Sequence, residues 1–212
     1  MILGFLVAVC ALWFFGWLAE EMLEGSTAQF DSQVRSAIHA HSSDQLTAIM
    51  KFLTFFGSSL LMAPLAILIL AICYIRREFH ALELLAATFA GAVVLELLLK
   101  VIFQRPRPVP FFDLPQPATY SFPSGHALFS FCFFAGLAAV VSSRLERLAA
   151  RIALWFFSFV LVFGIGFSRI YLGVHYPSDV LAGYAAGIVW VATLQFAVDL
   201  HRRHAERERP SA

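Results

Sequence analysis

Six long apolar stretches, each ended by charged or turn-forming residues, organise the chain; they run over approximately 2–19, 54–75, 81–103, 124–143, 151–168 and 178–199. A bilayer core of about 30 Å needs roughly 20 residues at the helical rise of 1.5 Å, so the pattern predicts an all-α bundle of six transmembrane helices. The first stretch lacks the basic start and small-residue cleavage site of a signal peptide and outruns the usual h-region, so it counts as a span. Between the spans there is no repeat, low-complexity tract or soluble domain. The longest polar interval is a first loop over 20–53, and the whole of 1–212 reads as a single membrane domain. On the last helix, Gly183 and Gly187 permit close helix contact, either inside the bundle or at a dimer seam.

Composition removes the other classes. Hydrophobic residues make up 60% and charged residues 14%, against about 25% charged in soluble domains. A chain with 23 phenylalanines is not disordered either, because disordered segments are poor in such residues. Fifteen Lys and Arg against fourteen Asp and Glu give a net charge of +1, with no basic excess to neutralise nucleic-acid phosphates. Cys10, Cys73 and Cys132 sit in apolar runs without paired spacing and are expected to be small buried hydrophobes.

Lys and Arg are unevenly divided between alternate connections. Arg76, Arg77, Arg144, Arg147, Arg151, Arg202, Arg203, Arg207 and Arg209 fall on one side. Arg35, Lys51, Lys100, Arg105, Arg107 and Arg169 fall on the other, where Glu20, Glu21, Glu24, Asp31 and Asp44 offset the long loop. Cytoplasmic loops carry the excess, which predicts cytoplasmic termini and outer loops over 20–53, 104–123 and 169–177.

Ionisable groups at membrane depth are costly unless paired or wet, so their placement is informative. Lys100, Arg105, Arg107, His126, Arg169, His175 and Asp179 all come to the outer ends of the last four helices. Pro123-Ser124-Gly125-His126 reads as a helix start, with Ser124 able to cap and Gly125 admitting a ligand close to the backbone. A helix N-terminus flanked by Lys100, Arg107 and Arg169 suits a phosphate-like anion, and also the charge that develops on its equatorial oxygens during phosphoryl transfer. His175 and Asp179 are four apart, so the carboxylate can hold one ring nitrogen and leave the other free to attack.

At these positions the chain resembles the type 2 phosphatidic acid phosphatase superfamily, which also contains the vanadium-dependent haloperoxidases. Lys100-x6-Arg107-Pro108, Pro123-Ser124-Gly125-His126 and Ser168-Arg169-x5-His175-x3-Asp179 match its three signatures in order, eleven specified positions across residues 100–179. The resemblance implies a membrane lipid phosphatase in which His175 attacks phosphorus to form a phosphohistidine, Asp179 orients it and His126 protonates the leaving oxygen. It further implies that Lys100, Arg107 and Arg169, with Ser124 and the Gly125 N–H, hold the phosphoryl oxygens. No metal or cofactor is implied. The expected partners are membrane lipids and a lipid phosphate or diphosphate of the undecaprenyl diphosphate, phosphatidate or phosphatidylglycerophosphate type, at the outer face of a bacterial-type inner membrane. Oligomeric state stays open.

Two other classes stay in view: a lipid phosphotransferase of the same superfamily, and a non-catalytic six-helix transporter or lipid-binding scaffold. Against the latter, the charges gather at one face, with only Glu83 and Glu96 inside a span. Lys100 also has Glu96 four residues earlier, the order that favours an ion pair. Arg105, outside the signatures, either meets an anionic headgroup or merely flanks its helix. His39 and His41 are expected to be surface residues.

Overall fold

The computed structural model describes residues 2–207 and is all helical. Its helices are α1 (Ile2–Leu23), α2 (Thr27–Ala40), α3 (Asp44–Phe56), α4 (Ser59–Ile75), α5 (Phe79–Phe103), α6 (Gly125–Ser142), α7 (Leu148–Tyr171) and α8 (Pro177–Arg207). Six segments are long and apolar enough to span a membrane: Gly4–Leu23, Asp44–Ile75, Phe79–Phe103, Gly125–Ser142, Leu148–Tyr171 and Pro177–Val198. Of the basic C-terminal cluster, Arg202, Arg203 and Arg207 continue α8 and Arg209 lies outside the described residues.

The interval 20–53 is not a loop. It holds α2 and α3, and the second span begins at Asp44 rather than 54. Ser43 caps α3, its Oγ accepting from the Leu46 N–H at 3.3 Å. Leu46, Met50 and Leu53, at helical spacing, lie against Tyr171, Leu172 and Val174. Thr47 and Lys51 interrupt the apolar run, Lys51 exposed and Thr47 facing α7 with its Oγ1 2.8 Å from the Tyr171 hydroxyl, which is why a hydropathy window alone starts the span late. Gly57 closes α3 where no side chain fits: a β-carbon there would meet Ile165 and the His126 ring. In α2 the inward face is polar, with Thr27 and Asp31 both buried.

Helix α8 packs chiefly on α1 and α6, and α7 on α6 and α3. β-Carbons at 183 and 187 would press on Ser124, Ala127, Leu128 and Phe131, so both glycines serve the α6–α8 contact inside the bundle. Phe89 stacks on Phe133 at 4.9 Å in the core shared by α4, α5 and α6. Cys73 and Cys132 are buried as expected, but Cys10 is exposed, because α1 is a peripheral helix with an outer face of Phe5, Leu6, Val9 and Trp13. Exposed Leu60, Ile67, Leu97, Ile102, Phe156 and Phe159 continue this apolar surface over α4, α5 and α7, a larger apolar area than a water-soluble monomer presents.

Candidate active site

His175 stands in the turn between α7 and α8, two residues before Pro177 opens the last helix. The residue is buried, and its Nδ1 lies 3.3 Å from Asp179 Oδ2, in the first turn of α8. Its other nitrogen, Nε2, lies 3.0 Å from Nη1 of Arg107. A guanidinium can only donate, so Nε2 presents a lone pair and the ring proton sits on Nδ1, toward the carboxylate. Burial, then the positive charges of Arg107, Arg169 and Lys100, hold the His175 pKa well below the ordinary histidine value and keep the ring neutral. The Tyr176 N–H donates to Asp179 Oδ2 at 2.9 Å and fixes the same oxygen that faces the ring.

In front of Nε2 lies a cavity of about 400 Å³ lined by Lys100, Arg107, Gly125, His126, Arg169 and His175, among others. Five of the eight residues expected at the site thus share one chamber with His175; Asp179 lies behind the ring, and Ser124 immediately precedes the lining residue Gly125 at the start of α6. Arg107 is steered by the connection between α5 and α6 and by the turn before α8: Nε and Nη2 donate to the carbonyl and hydroxyl of Thr119 at 2.6 and 2.9 Å, and Nη1 to Val174 O at 3.0 Å. Burial lowers the Arg107 pKa, an effect that Asp179 and Glu96 oppose. Arg169 is held by α3, donating to Thr54 Oγ1 at 2.6 Å.

Two buried polar atoms at this chamber, Ser124 Oγ and Arg169 Nε, have no hydrogen-bond partner among the described residues. Ser124 therefore does not cap α6 with its side chain, contrary to expectation; its N–H donates to the Asp179 carbonyl at 2.9 Å instead. Unpaired buried donors cost stability unless something completes them. The first turn of α6 adds backbone N–H groups without intrahelical partners. Together with Lys100, Arg107 and Arg169 they form an environment built for a multiply charged oxyanion.

Glu96 lies in the same chamber. Lys100 Nζ donates to Glu96 Oε1 at 2.6 Å, so the ion pair weighed against a ligand-binding role is present. The carboxylate occupies the space where a β-carbon on residue 125 would stand, at the N-terminal end of α6. It thereby sits against the position expected for a phosphoryl oxygen. Among the described residues no group of three or more His, Cys, Asp or Glu is placed to hold a metal ion.

Arg105 neither meets a headgroup nor simply flanks α5. It reaches inward to Asp179 Oδ1 at 2.6 Å and Asp31 Oδ2 at 2.8 Å, with the Tyr176 ring 4.0 Å below its guanidinium. Burial opposes its charge, but Asp179 and Asp31 together raise its pKa above the usual value. Local sequence offered one sign of this, a second arginine two positions from Arg107 in a proline-rich segment; nothing near Asp31 announced it. His41 is exposed as expected, but His39 is half-buried and stacks on Phe111 at 4.0 Å. Arg35 lies over Phe111 and Tyr176 and donates to the Val109 and Gly173 carbonyls at 2.8 and 3.2 Å.

Comparison with known proteins adds three findings. The model of the PAP2 superfamily matches residues 80–202. Phosphatidylglycerophosphatase B of Bacillus subtilis is 28% identical over 177 residues, covering 83% of this chain and 87% of that protein. Undecaprenyl-diphosphatase of Sulfolobus acidocaldarius is 27% identical over 177 residues, covering 80% and 79% respectively. The crystal structure of a transmembrane PAP2 type phosphatidylglycerolphosphate phosphatase from Bacillus subtilis superposes with a TM-score of 0.83 at 26% identity, covering 91% of this chain and 96% of that one.

Proposed function

The chain belongs to the PAP2 superfamily, and from that premise we propose that it is a metal-independent membrane phosphatase that hydrolyses lipid phosphate or diphosphate monoesters through a phosphohistidine on His175. The observation that carries this reading is the Nε2 lone pair of His175, fixed by Asp179 on the far side of the ring and opening onto a cavity lined by three cations. As the phosphoryl group enters, Arg107 exchanges its bond to Nε2 for phosphoryl oxygens. Lys100, Arg169, Ser124 Oγ and the Gly125 N–H take the others, supplying fixed charge where negative charge develops. The Nε2–P bond forms, the P–O bond to the lipid breaks, and the departing oxygen takes a proton from His126. Water then attacks phosphorus, His126 accepts its proton, and the Nε2–P bond breaks to release phosphate.

The lipid's position follows from the cavity wall. Below the charged groups the lining becomes Ala63 of α4, Val93 of α5 and Phe129 of α6, all within spans. The headgroup then meets the cations while the chain leaves sideways into hydrocarbon. Residues 2–207 act as one membrane domain with both termini cytoplasmic and the cavity at the outer face. Supporting this, Arg76, Arg77, Arg144, Arg147 and Arg151 at the opposite end are exposed, whereas Arg35, Lys100, Arg105, Arg107 and Arg169 are all engaged within the fold. Of the outer-side cations Lys51 alone is exposed, whereas the opposite end carries five exposed arginines, Arg144 among them although it pairs with Glu78, so the exposed charge asymmetry follows the positive-inside pattern.

The test is phosphate release in detergent micelles containing EDTA, from undecaprenyl diphosphate, phosphatidate and phosphatidylglycerophosphate. Release by wild type and not by His175→Ala is expected. Equal release by both would remove the nucleophile assignment, and release only after adding a divalent metal would remove metal independence.

A further inference from the structure

Behind His175 lies a second polar cluster, none of whose members lines the cavity. Asp31 comes from α2, Arg105 from the connection after α5, and Ser178 and Asp179 from the start of α8. Asp31, Ser178 and Asp179 are buried to 1% exposure or less. Arg105 Nη1 donates to Asp179 Oδ1 at 2.6 Å and to Ser178 Oγ at 2.8 Å; Nη2 donates to Asp31 Oδ2 at 2.8 Å and Thr27 Oγ1 at 3.4 Å. Asp31 in turn accepts from the Ser178 N–H at 2.9 Å and from its hydroxyl at 2.6 Å.

We propose that Asp31, acting through Arg105, is a positioning residue of the phosphatase, holding the Asp179 carboxylate in the orientation and charge state that serve His175, so that α2 is part of the catalytic apparatus. The inference rests on the reading of His175 as nucleophile. Geometry supplies the first reason. Arg105 occupies Oδ1 of Asp179 and leaves Oδ2 to His175 and the Tyr176 N–H, and Arg105 itself is held in place by Asp31.

Charge supplies the second. When Nε2 bonds phosphorus and the P–O bond breaks, the ring keeps its Nδ1 proton and gains positive charge, which Asp179 must stabilise. One guanidinium shared between two carboxylates leaves a net negative charge beside the ring. Without Asp31, Arg105 would neutralise Asp179 alone, and the growing imidazolium would lose its counter-charge.

The experiment compares wild type with Asp31→Asn, Ser178→Ala, Asp179→Asn and His175→Ala, using short-chain phosphatidate in micelles and orthovanadate affinity as the probe of an intact cavity. Asp31→Asn is expected to lower kcat by about tenfold to a hundredfold, the scale of a misplaced catalytic group, with KM and vanadate affinity within about twofold. In an Arg105→Gln background the same substitution should add little, since the charge it balances is gone. Ser178→Ala, which removes one hydroxyl and keeps the backbone bond, covers the case in which Asp31→Asn fails to fold. It removes the two bonds of that hydroxyl, from Arg105 and to Asp31, and is expected to lower kcat by about fivefold to twenty-fivefold, at roughly fivefold for each bond. Wild-type kcat in Asp31→Asn or, if that variant does not fold, in Ser178→Ala would overturn the inference, as would an equal loss of vanadate affinity, provided His175→Ala and Asp179→Asn are inactive or impaired. If those two also turn over normally, it is the nucleophile reading that falls.

Discussion

The two polar regions on either side of His175 are built on opposite rules. In front, the chamber is under-satisfied: Ser124 Oγ and Arg169 Nε lack partners among the described residues, and one carboxylate, Glu96, stands among three cations. Behind, the Asp31–Arg105–Ser178–Asp179 cluster uses both oxygens of each carboxylate and both terminal nitrogens of the guanidinium. Unsatisfied donors mark where a ligand completes the structure, and a saturated network marks where geometry is fixed. The mechanism proposed for His175 needs both, because preorganised charge is effective only if the nucleophile it surrounds is held still.

Substitutions at the two faces should therefore fail differently. The largest effect is expected from His175→Ala, with turnover reduced at least about 10⁴-fold, the scale seen when an essential nucleophile or its orienting partner is lost. Arg107→Lys should follow, lowering kcat/KM by about a hundredfold, because a point charge cannot reproduce a fork that reaches Thr119, Val174 and the ring together. Steady-state kinetics on one lipid substrate measures both, and a conservative result for Arg107→Lys would mean that charge alone suffices.

Much of the front face was legible in the amino-acid pattern. Lys100, Arg107, Gly125, His126, Arg169 and His175 are set by short spacings beside helix ends, so local sequence carries them to one chamber. The back face was not legible. Asp31 and Arg105 are 74 residues apart, joined by folding and by no periodicity, and the polar inward face of α2 disguised that helix as a loop. Ser124 misled for a related reason: its residue type suits a cap, but Asp179 takes its N–H and leaves the hydroxyl unpaired. The late start assigned to the second span came from Asp44, Gln45, Thr47 and Lys51 in the first half of α3, and Thr54, where the assigned span began, turns out to hold Arg169.

Smaller effects sharpen the contrast. Glu96→Gln should tighten competitive inhibition by orthophosphate by about tenfold, since an isosteric amide no longer repels an anion from the start of α6; weaker inhibition would mean that Glu96 serves to orient Lys100. Ser124→Ala should raise KM about fivefold, the worth of one hydrogen bond, and leave the melting temperature unchanged because no bond within the fold is lost. A marked drop in melting temperature would place Ser124 with the saturated face.

Protonation separates the faces as well. Burial and the nearby cations lower the His175 pKa, so the neutral ring should persist at pH 6.5 and protonate only on further acidification. Nitrogen-15 NMR of histidine-labelled enzyme should find its proton on Nδ1 at that pH, whereas an imidazolium there would contradict the environment described.

The most direct test of the account is acid-labile, base-stable trapping of the phosphoryl group from a substrate with a good leaving group, using the His126→Ala variant to slow hydrolysis of the intermediate. The account predicts a phosphoryl group on Nε2 of His175, absent from His175→Ala. Label on His126 or on Nδ1 of His175, or turnover with none trapped under any quench, would contradict it.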